Sequence, residues 1–366
     1  MNYVILNGTK STMVKGLLIQ SLPPVSKPLM RTQVEEIDGR DGDIITPLGY
    51  AAYDKTLRIG LHGNFDIDEV IQYFTSQGTV IFSNEPDKYY YYQVLGQIDF
   101  ERLIRFRQAD VVLHCQPFKY SAIEGSLSLS AKNMLDASAI ATNSTAQQYV
   151  DFENIVGGIE ITVTQSYSGG IFVGAITVSG LTMGQTYTIS GVAQSSSFNR
   201  AYLYTDALWG NSITSGNVNN GVSFTATTTS VVIGFYATSP TVGDVLTISN
   251  IQFEKGSRKT AYIPYNTVQV TNSGNTTARP KITIYGSGTI NLSLNGYMIF
   301  VIDLSNDAYI TIDAALMEAY QDTPATLKNR LVTGDYNNLV LQSGVNYFSW
   351  TGTVTEVVVE NYSRWI

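Results

Sequence analysis

Across the middle and the last part of the chain, short runs alternate apolar with polar residues, and they are separated by Gly, Asn, Ser and Thr. Examples are Ile159-Glu160-Ile161-Thr162-Val163, Tyr187-Thr188-Ile189-Ser190, Ala201-Tyr202-Leu203-Tyr204 and Val245-Leu246-Thr247-Ile248. Successive side chains of a strand point to opposite faces, so a period of two marks a strand with one buried face. The runs recur about every ten to fifteen residues with no helical period between them, which predicts a β-sandwich or jelly roll. The same logic holds for Lys281 to Tyr285, Ile290 to Leu294, Ala308 to Ile312 and Val354 to Val359. Ala314 to Tyr320 suits helix and strand equally.

Charge divides this β-rich texture into segments. Of the 52 Asp, Glu, Lys and Arg residues, 27 lie in 1–125, 12 in 126–265 and 13 in 266–366. Steps in composition of this size predict boundaries near residues 125 and 265. The middle segment keeps its apolar alternation, so it is a folded unit and not a linker. In the first segment, Ile67, Val70, Ile71 and Phe74 fall on one helical face. Asp66 is placed to cap that helix, Glu69 completes a capping-box pattern, and Gly78 follows its end. Strand-like runs surround it at Thr79 to Phe82, Tyr89 to Leu95, and Phe100 to Cys115. One helix among strands predicts an α+β N-terminal domain.

Several function classes are excluded. A net charge of −8 is unsuited to gripping a phosphate backbone, so no sequence-specific nucleic-acid binding is expected. With Cys115 alone there is no disulfide framework and no zinc site of the usual Cys/His kinds. His62 and His114 read as strand residues, and no Gly-rich phosphate loop precedes a helix. The middle acids (Asp136, Asp151, Glu153, Glu160, Asp206, Asp244, Glu254) form no recognisable motif. Glu254 and Asp151 are oxygen donors of the kind calcium takes, but without a ligand loop they read as surface carboxylates. No enzyme, cofactor or metal is expected. No apolar run reaches the roughly 18 residues of a membrane span, and the first residues lack the pattern of an export signal. Synthesis in a cytoplasm follows as the expectation.

The first segment resembles the N-terminal domain of the distal tail proteins (Dit) of siphophages that infect Gram-positive bacteria. The resemblance is carried by Lys15-Gly16-Leu17, Leu22-Pro23-Pro24, Glu35 to Gly42, Ile81 to Asp87 and Pro117-Phe118-Lys119-Tyr120. The third segment resembles the galectin-like C-terminal domain of the same family, through Asn272 to Asn275, Arg279-Pro280, Tyr285 to Gly288, Ile310 to Asp313, Gly344-Val345-Asn346 with Gly352, and Ser363 to Ile366. Between them, Asn133-Met134-Leu135 and Ile251 to Tyr265 resemble the borders of a jelly-roll carbohydrate-binding module. Leu127 and Leu129 before it, and Val268 and Val270 after it, are placed to pair as strands of the galectin-like domain. The resemblance is thus to an "evolved" Dit protein. It implies three units: a ring-forming domain over 1–125, an inserted module over 131–265, and a galectin-like β-sandwich from 126–130 plus 266–366.

The family resemblance further implies a homo-hexamer at the tail tip of the virion. Its partners would be the major tail protein ring above and the tail-associated lysin or tip protein below, with a receptor-binding protein as a further partner. DNA would pass through the channel, which a negative charge suits. The loop Glu35 to Arg40 is either a contact between neighbouring subunits or a solvated turn. Galectins bind sugar with a set that includes histidine, and no His follows His114, so sugar binding is not expected of the galectin-like unit. Trp350 reads as core, and Trp365 either covers a sandwich edge or meets a partner.

If the module binds host cell-wall saccharide, flat aromatic faces should meet the apolar faces of sugar rings. Trp209, in the turn-like stretch Asp206 to Asn211, is the first candidate. Tyr202 and Tyr204 share one strand face with Arg200 beyond them, and that face is either binding surface or core. Tyr167 beside Gly169-Gly170, and Phe198 with Asn199 after a Ser run, are loop candidates. Tyr187, Phe224, Phe235 and Tyr236 lie inside strand runs and read as packing. The sequence therefore suggests a structural baseplate-hub protein with an adhesion module. A secreted polysaccharide-binding protein and a cryptic glycosidase are the alternatives.

Overall fold

The computed structural model describes residues 2–39, 41–205 and 212–366. The chain is mainly β, and its buried apolar residues gather into three clusters that follow the charge segments.

The first cluster lies against an antiparallel sheet ordered Thr9–Lys10, Val4–Leu6, Gln77–Phe82, Lys88–Gln93, Gln108–Ser121, Tyr53–Leu61 and Leu17–Ser21. Val4, Leu57, Ile59, Val111 and Leu113 face it with no exposed surface. Helix α1, Ile67–Tyr73, adds Val70 and Tyr73. Its cap is Asp66, whose carboxylate accepts from the Asp68 and Glu69 amides at 3.0 and 3.4 Å. Gly78 does not end the helix; it belongs to the strand Gln77–Phe82. Ile71 is also exposed, and Tyr73 takes the buried place predicted for it.

A second helix, α2, spans Phe100–Phe106 where the sequence pattern suggests strand. Asp99 caps it by accepting from the Arg102 amide at 2.8 Å, Leu103 is fully buried, and Arg107 stops it in a left-handed conformation at φ 58°. Strand begins only at Gln108. Among its described residues the N-terminal unit therefore has two α-helices, not one. A separate two-stranded ribbon, Met30–Glu35 with Ile44–Tyr50, belongs to no other sheet and is exposed along nearly all its length.

The second cluster is sandwiched between two five-stranded antiparallel sheets. One is ordered Ala141–Thr142, Gly170–Ser179, Ser230–Thr238, Arg200–Tyr204 and Ser212–Asn217. The other is ordered Val150–Ile155, Gly158–Val163, Val245–Lys255, Thr186–Ala193 and Val222–Thr225. Ile161, Ile189, Leu203, Ile233, Phe235 and Phe253 fill the space between them. At the base, buried Asn133 donates to the Ile251 carbonyl at 3.0 Å and accepts from the Phe253 amide at 3.0 Å. The two ends of this segment are thereby tied together.

The third cluster is organised by Gly344–Glu360, a strand of 17 residues. Along one edge its part from Phe348 to Glu360 pairs with Lys281–Leu294. Along the other it pairs with Leu127–Leu129 near its end and with Thr267–Asn272 near its start. The strand Lys281–Leu294 is irregular around Gly286 to Asn291; its first half pairs with Tyr309–Asp313 and its second with Tyr297–Leu304. Ile282, Ile284, Ile290 and Leu292 from both halves share one core with Phe300, Phe348 and Trp350. The ambiguous stretch Ala314 to Tyr320 becomes a turn followed by the short strand Glu318–Tyr320.

The last residues return to the first unit. Arg364–Trp365 pairs with Tyr120 and Lys119 of the N-terminal sheet. Lys88 Nζ lies 3.8 Å from the centre of the Trp365 ring, and the Arg364 guanidinium lies 3.9 Å from that of Phe118. Among the described residues no helix is long and apolar enough to cross a membrane.

Candidate functional site

Alternation in three neighbouring strands of the second unit decides which side chains face outward. In Arg200–Tyr204, Ala201 and Leu203 point into the core, leaving Arg200, Tyr202 and Tyr204 on the outer face. In Ser230–Thr238, Val231, Ile233, Phe235 and Ala237 are core, which leaves Val232, Gly234 and Tyr236 outside. In Gly170–Ser179, Ile171 and Val173 join the core while Phe172 faces out, and the bulge between Phe172 and Gly174 then shifts the parity, so that Ala175 and Thr177 lie on the Phe172 face and Val178 turns inward.

The register then sets Arg200, Tyr236 and Phe172 on one rung, Tyr202, Gly234 and Ala175 on the next, and Tyr204, Val232 and Thr177 on a third. With small residues at the middle of the second rung, the Phe172 ring reaches across the sheet. It meets Tyr236 at 5.0 Å, Tyr202 at 5.3 Å and Tyr204 at 5.9 Å between ring centres, each time edge to face. Tyr202 and Tyr204 run nearly parallel, 16° apart at 6.4 Å, and Tyr202 also meets Tyr236 at 5.1 Å. Aromatic pairs in such arrangements gain about 0.5–1.5 kcal/mol beyond area burial, so the four rings hold one another in place.

The edges of the cluster are polar. Arg200 is exposed, and its guanidinium stands 5.8 Å from the centre of the Tyr202 ring. Gly170 makes room for the Tyr236 hydroxyl, since a Cβ there would run into that oxygen. Burial, and then the neighbouring Tyr202 and Tyr167 phenols, push the Tyr236 phenol above its usual range, against the pull of Arg200. Burial, then Tyr202 and Tyr236, do the same to Tyr204. Both hydroxyls therefore remain protonated donors at neutral pH.

The residues proposed from sequence separate into groups. Tyr202, Tyr204 and Arg200 come together on the outer face, although Tyr204 is itself only 5% exposed. Tyr167 is half-buried, set edge-on to Tyr149 at 4.9 Å, and close enough to Tyr236 to influence its phenol. Phe198 is corrected: it has no exposed surface and belongs to the core. It precedes the strand in a bend, where Thr238 donates to the Ser197 carbonyl and Val218 to the Asn199 carbonyl, and this turns the ring inward. Asn199 is half-buried at that bend. Trp209 lies outside the described residues.

Sequence reasoning missed two members of the cluster. Tyr236 lies inside a strand run that suggests packing, yet its parity with Gly234 and Val232 places it outside. Phe172 was not singled out, and the bulge beside it disrupts the alternation that would have marked it. Tyr187 and Phe224 are core, as expected of them, with Tyr187 stacked on Phe253 at 5.5 Å and 3°.

Glu254 is not the surface carboxylate the sequence suggests. It is buried and accepts from the Thr260 amide (2.8 Å), Thr260 Oγ1 (2.6 Å) and Gln252 Nε2 (2.8 Å), with Lys132 Nζ at 3.4 Å. Asp151 is exposed. Among the described residues no group of three His, Cys, Asp or Glu side chains is arranged to hold a metal ion.

No protein-family model matches the sequence, and no curated protein matches it. Solved structures similar to the chain include the SPP1 Dit protein, described as a paradigm of the hub adsorption apparatus in phages infecting Gram-positive bacteria. That likeness has a TM-score of 0.45 at 10% identity and covers 100% of both chains. Another is the N-terminal CBM22-1–CBM22-2 tandem of Xyn10C from Paenibacillus barcinonensis, with a TM-score of 0.20 at 11% identity, covering 66% of this chain and 98% of that one.

Proposed function

We propose that the chain is a structural, non-enzymatic component of a phage tail-tip hub, and that its middle unit binds host cell-wall saccharide. The observation that carries the adhesion half is the outward cluster of Phe172, Tyr202 and Tyr236, backed by the nearly buried Tyr204, with Arg200 at its edge. A sheet face of this kind offers apolar rings to the apolar side of a pyranose and phenol or guanidinium donors to its hydroxyls. The hub half is supported by the sequence resemblance of the first and third segments. It is also supported by the ribbon of Met30–Glu35 and Ile44–Tyr50, whose exposed Val34, Ile45 and Leu48 suit a contact with a neighbouring copy in a hexameric ring.

In this reading residues 1–125 form the ring-building unit, 131–265 the inserted module, and 126–130 with 266–366 the sandwich that carries it. The ring would sit in the virion between the tail tube and the tip proteins and let DNA through without reading it. Individually weak sites repeated around a ring gain avidity of roughly 10²–10⁴. A glycosidase would need two positioned carboxylates, and the strands of the aromatic sheet carry none.

Binding of the full chain to cell walls of susceptible bacteria tests the adhesion half. Tyr202→Ala should weaken it about tenfold, the equivalent of one lost aromatic contact. Because Tyr202 packs on Phe172, Tyr204 and Tyr236, the variant should also melt somewhat earlier, and its binding is compared at a temperature where parent and variant are both folded. Unchanged binding by this variant would remove the aromatic face from the mechanism.

A further inference from the structure

Charge is distributed unequally between the two sheets of the middle unit. Across the five strands of the aromatic sheet, Arg200 is the single charged side chain. The opposite sheet carries Asp151, Glu153, Glu160 and Glu254, with Lys255 as its only cation. A chain of net charge −8 therefore keeps the strands of its aromatic face free of carboxylates and places one cation among the rings. Among the described residues no carboxylate pairs with Arg200. Its guanidinium is exposed, next to the Tyr202 ring and on the same rung as Tyr236.

The guanidinium fork matches the two oxygens of a carboxylate or phosphate, and such charge-assisted bonds are about twice as strong as neutral ones. A neutral hydroxyl would use only part of that capacity. We propose that the saccharide held by this face is acidic, its carboxylate or phosphate taken by Arg200 while the adjoining sugar ring packs on Tyr202. This inference rests on the saccharide reading of the face and adds the charge of the ligand to it.

The test is an array of matched glycans probed with the full chain: neutral hexose oligomers beside their uronate counterparts, and neutral hexose oligomers beside their phosphate esters. The parent protein should favour the acidic member of at least one pair type by roughly tenfold. Arg200→Gln should bring that member down to the neutral level, and Arg200→Lys should keep part of the preference. Whichever pair type shows the preference identifies the anion. Equal binding of neutral and acidic members, unchanged in Arg200→Gln, would overturn the inference and leave the saccharide reading standing. Acidic binding that survives Tyr202→Ala and vanishes with added salt would be bulk charge attraction and would overturn both. Binding to no member of the array would also remove the saccharide reading.

Discussion

At the scale of single residues, Glu254 shows how a carboxylate is kept charged away from water. Burial alone would raise its pKa, but the hydroxyl and amide of Thr260, the Gln252 amide and Lys132 together hold it below the usual carboxylate range. A group whose folded pKa is depressed adds stability that is present above its unfolded pKa and lost as pH falls through the folded one. The middle unit should therefore lose stability on acidification below about pH 4.5, the ordinary value for such a group. Glu254→Gln should flatten that part of the pH profile and lower stability at neutral pH by about 1–3 kcal/mol. Thermal melts across pH check both; an acid limb unchanged in the variant would assign it to other carboxylates.

At the scale of elements, the ribbon Met30–Glu35 with Ile44–Tyr50 is the least self-sufficient part of the fold. Two strands with no third strand paired to them among the described residues are marginal in water, and Ile45 and Leu48 are 62% and 54% exposed. Within the proposed ring this apolar surface is covered by the next copy. Ile45→Asp should then shift the assembled species to monomer in sedimentation experiments without lowering the melting temperature of the three cores. An assembly state unchanged by the substitution would place the subunit contact elsewhere.

The elements also differ in how well they could be read from sequence. The strand Arg200–Tyr204 was legible as two faces, but alternation alone does not say which is inside. That is settled by Phe198, Phe235 and Ile233, which already occupy the core and leave Tyr202 and Tyr204 the outside. Helix α2 was hidden because Phe100, Ile104 and Phe106 are as much at home in strands. Its signal was the capping Asp99 followed by Glu101 and Arg102. Phe172 could not be found at all, because a bulge is a backbone event that alternation cannot register in advance.

At the scale of the whole molecule, residues 363–366 bind the first and third units together. Arg364 donates to the Thr277 carbonyl at 2.5 Å, Ser363 Oγ accepts from the Ser273 amide at 2.9 Å, and the Ile366 amide donates to Asn275 Oδ1 at 2.9 Å. Gly274 is needed for the close approach, since a Cβ there would strike the Arg364 backbone. Arg364→Ala should free the pairing with Lys119 and Tyr120 and speed amide hydrogen exchange there, while exchange in the strand Arg200–Tyr204 stays as it is. Equal protection in parent and variant would show that the pairing holds without the guanidinium.

The strand Gly344–Glu360 has a mechanical consequence. The chain leaves it after Leu129, opposite Val357, and returns at Thr267, opposite Ser349. These anchor points stand eight residues apart on one strand, or about 27 Å. Tension applied to the aromatic face is therefore shared between two anchors on one strand, and that strand is backed along its other edge by Lys281–Leu294. Neither anchor can peel away without breaking its own ladder of backbone hydrogen bonds. Under the proposed adhesive role, a tether built this way would resist detachment from the body even if each sugar contact were weak and quickly released.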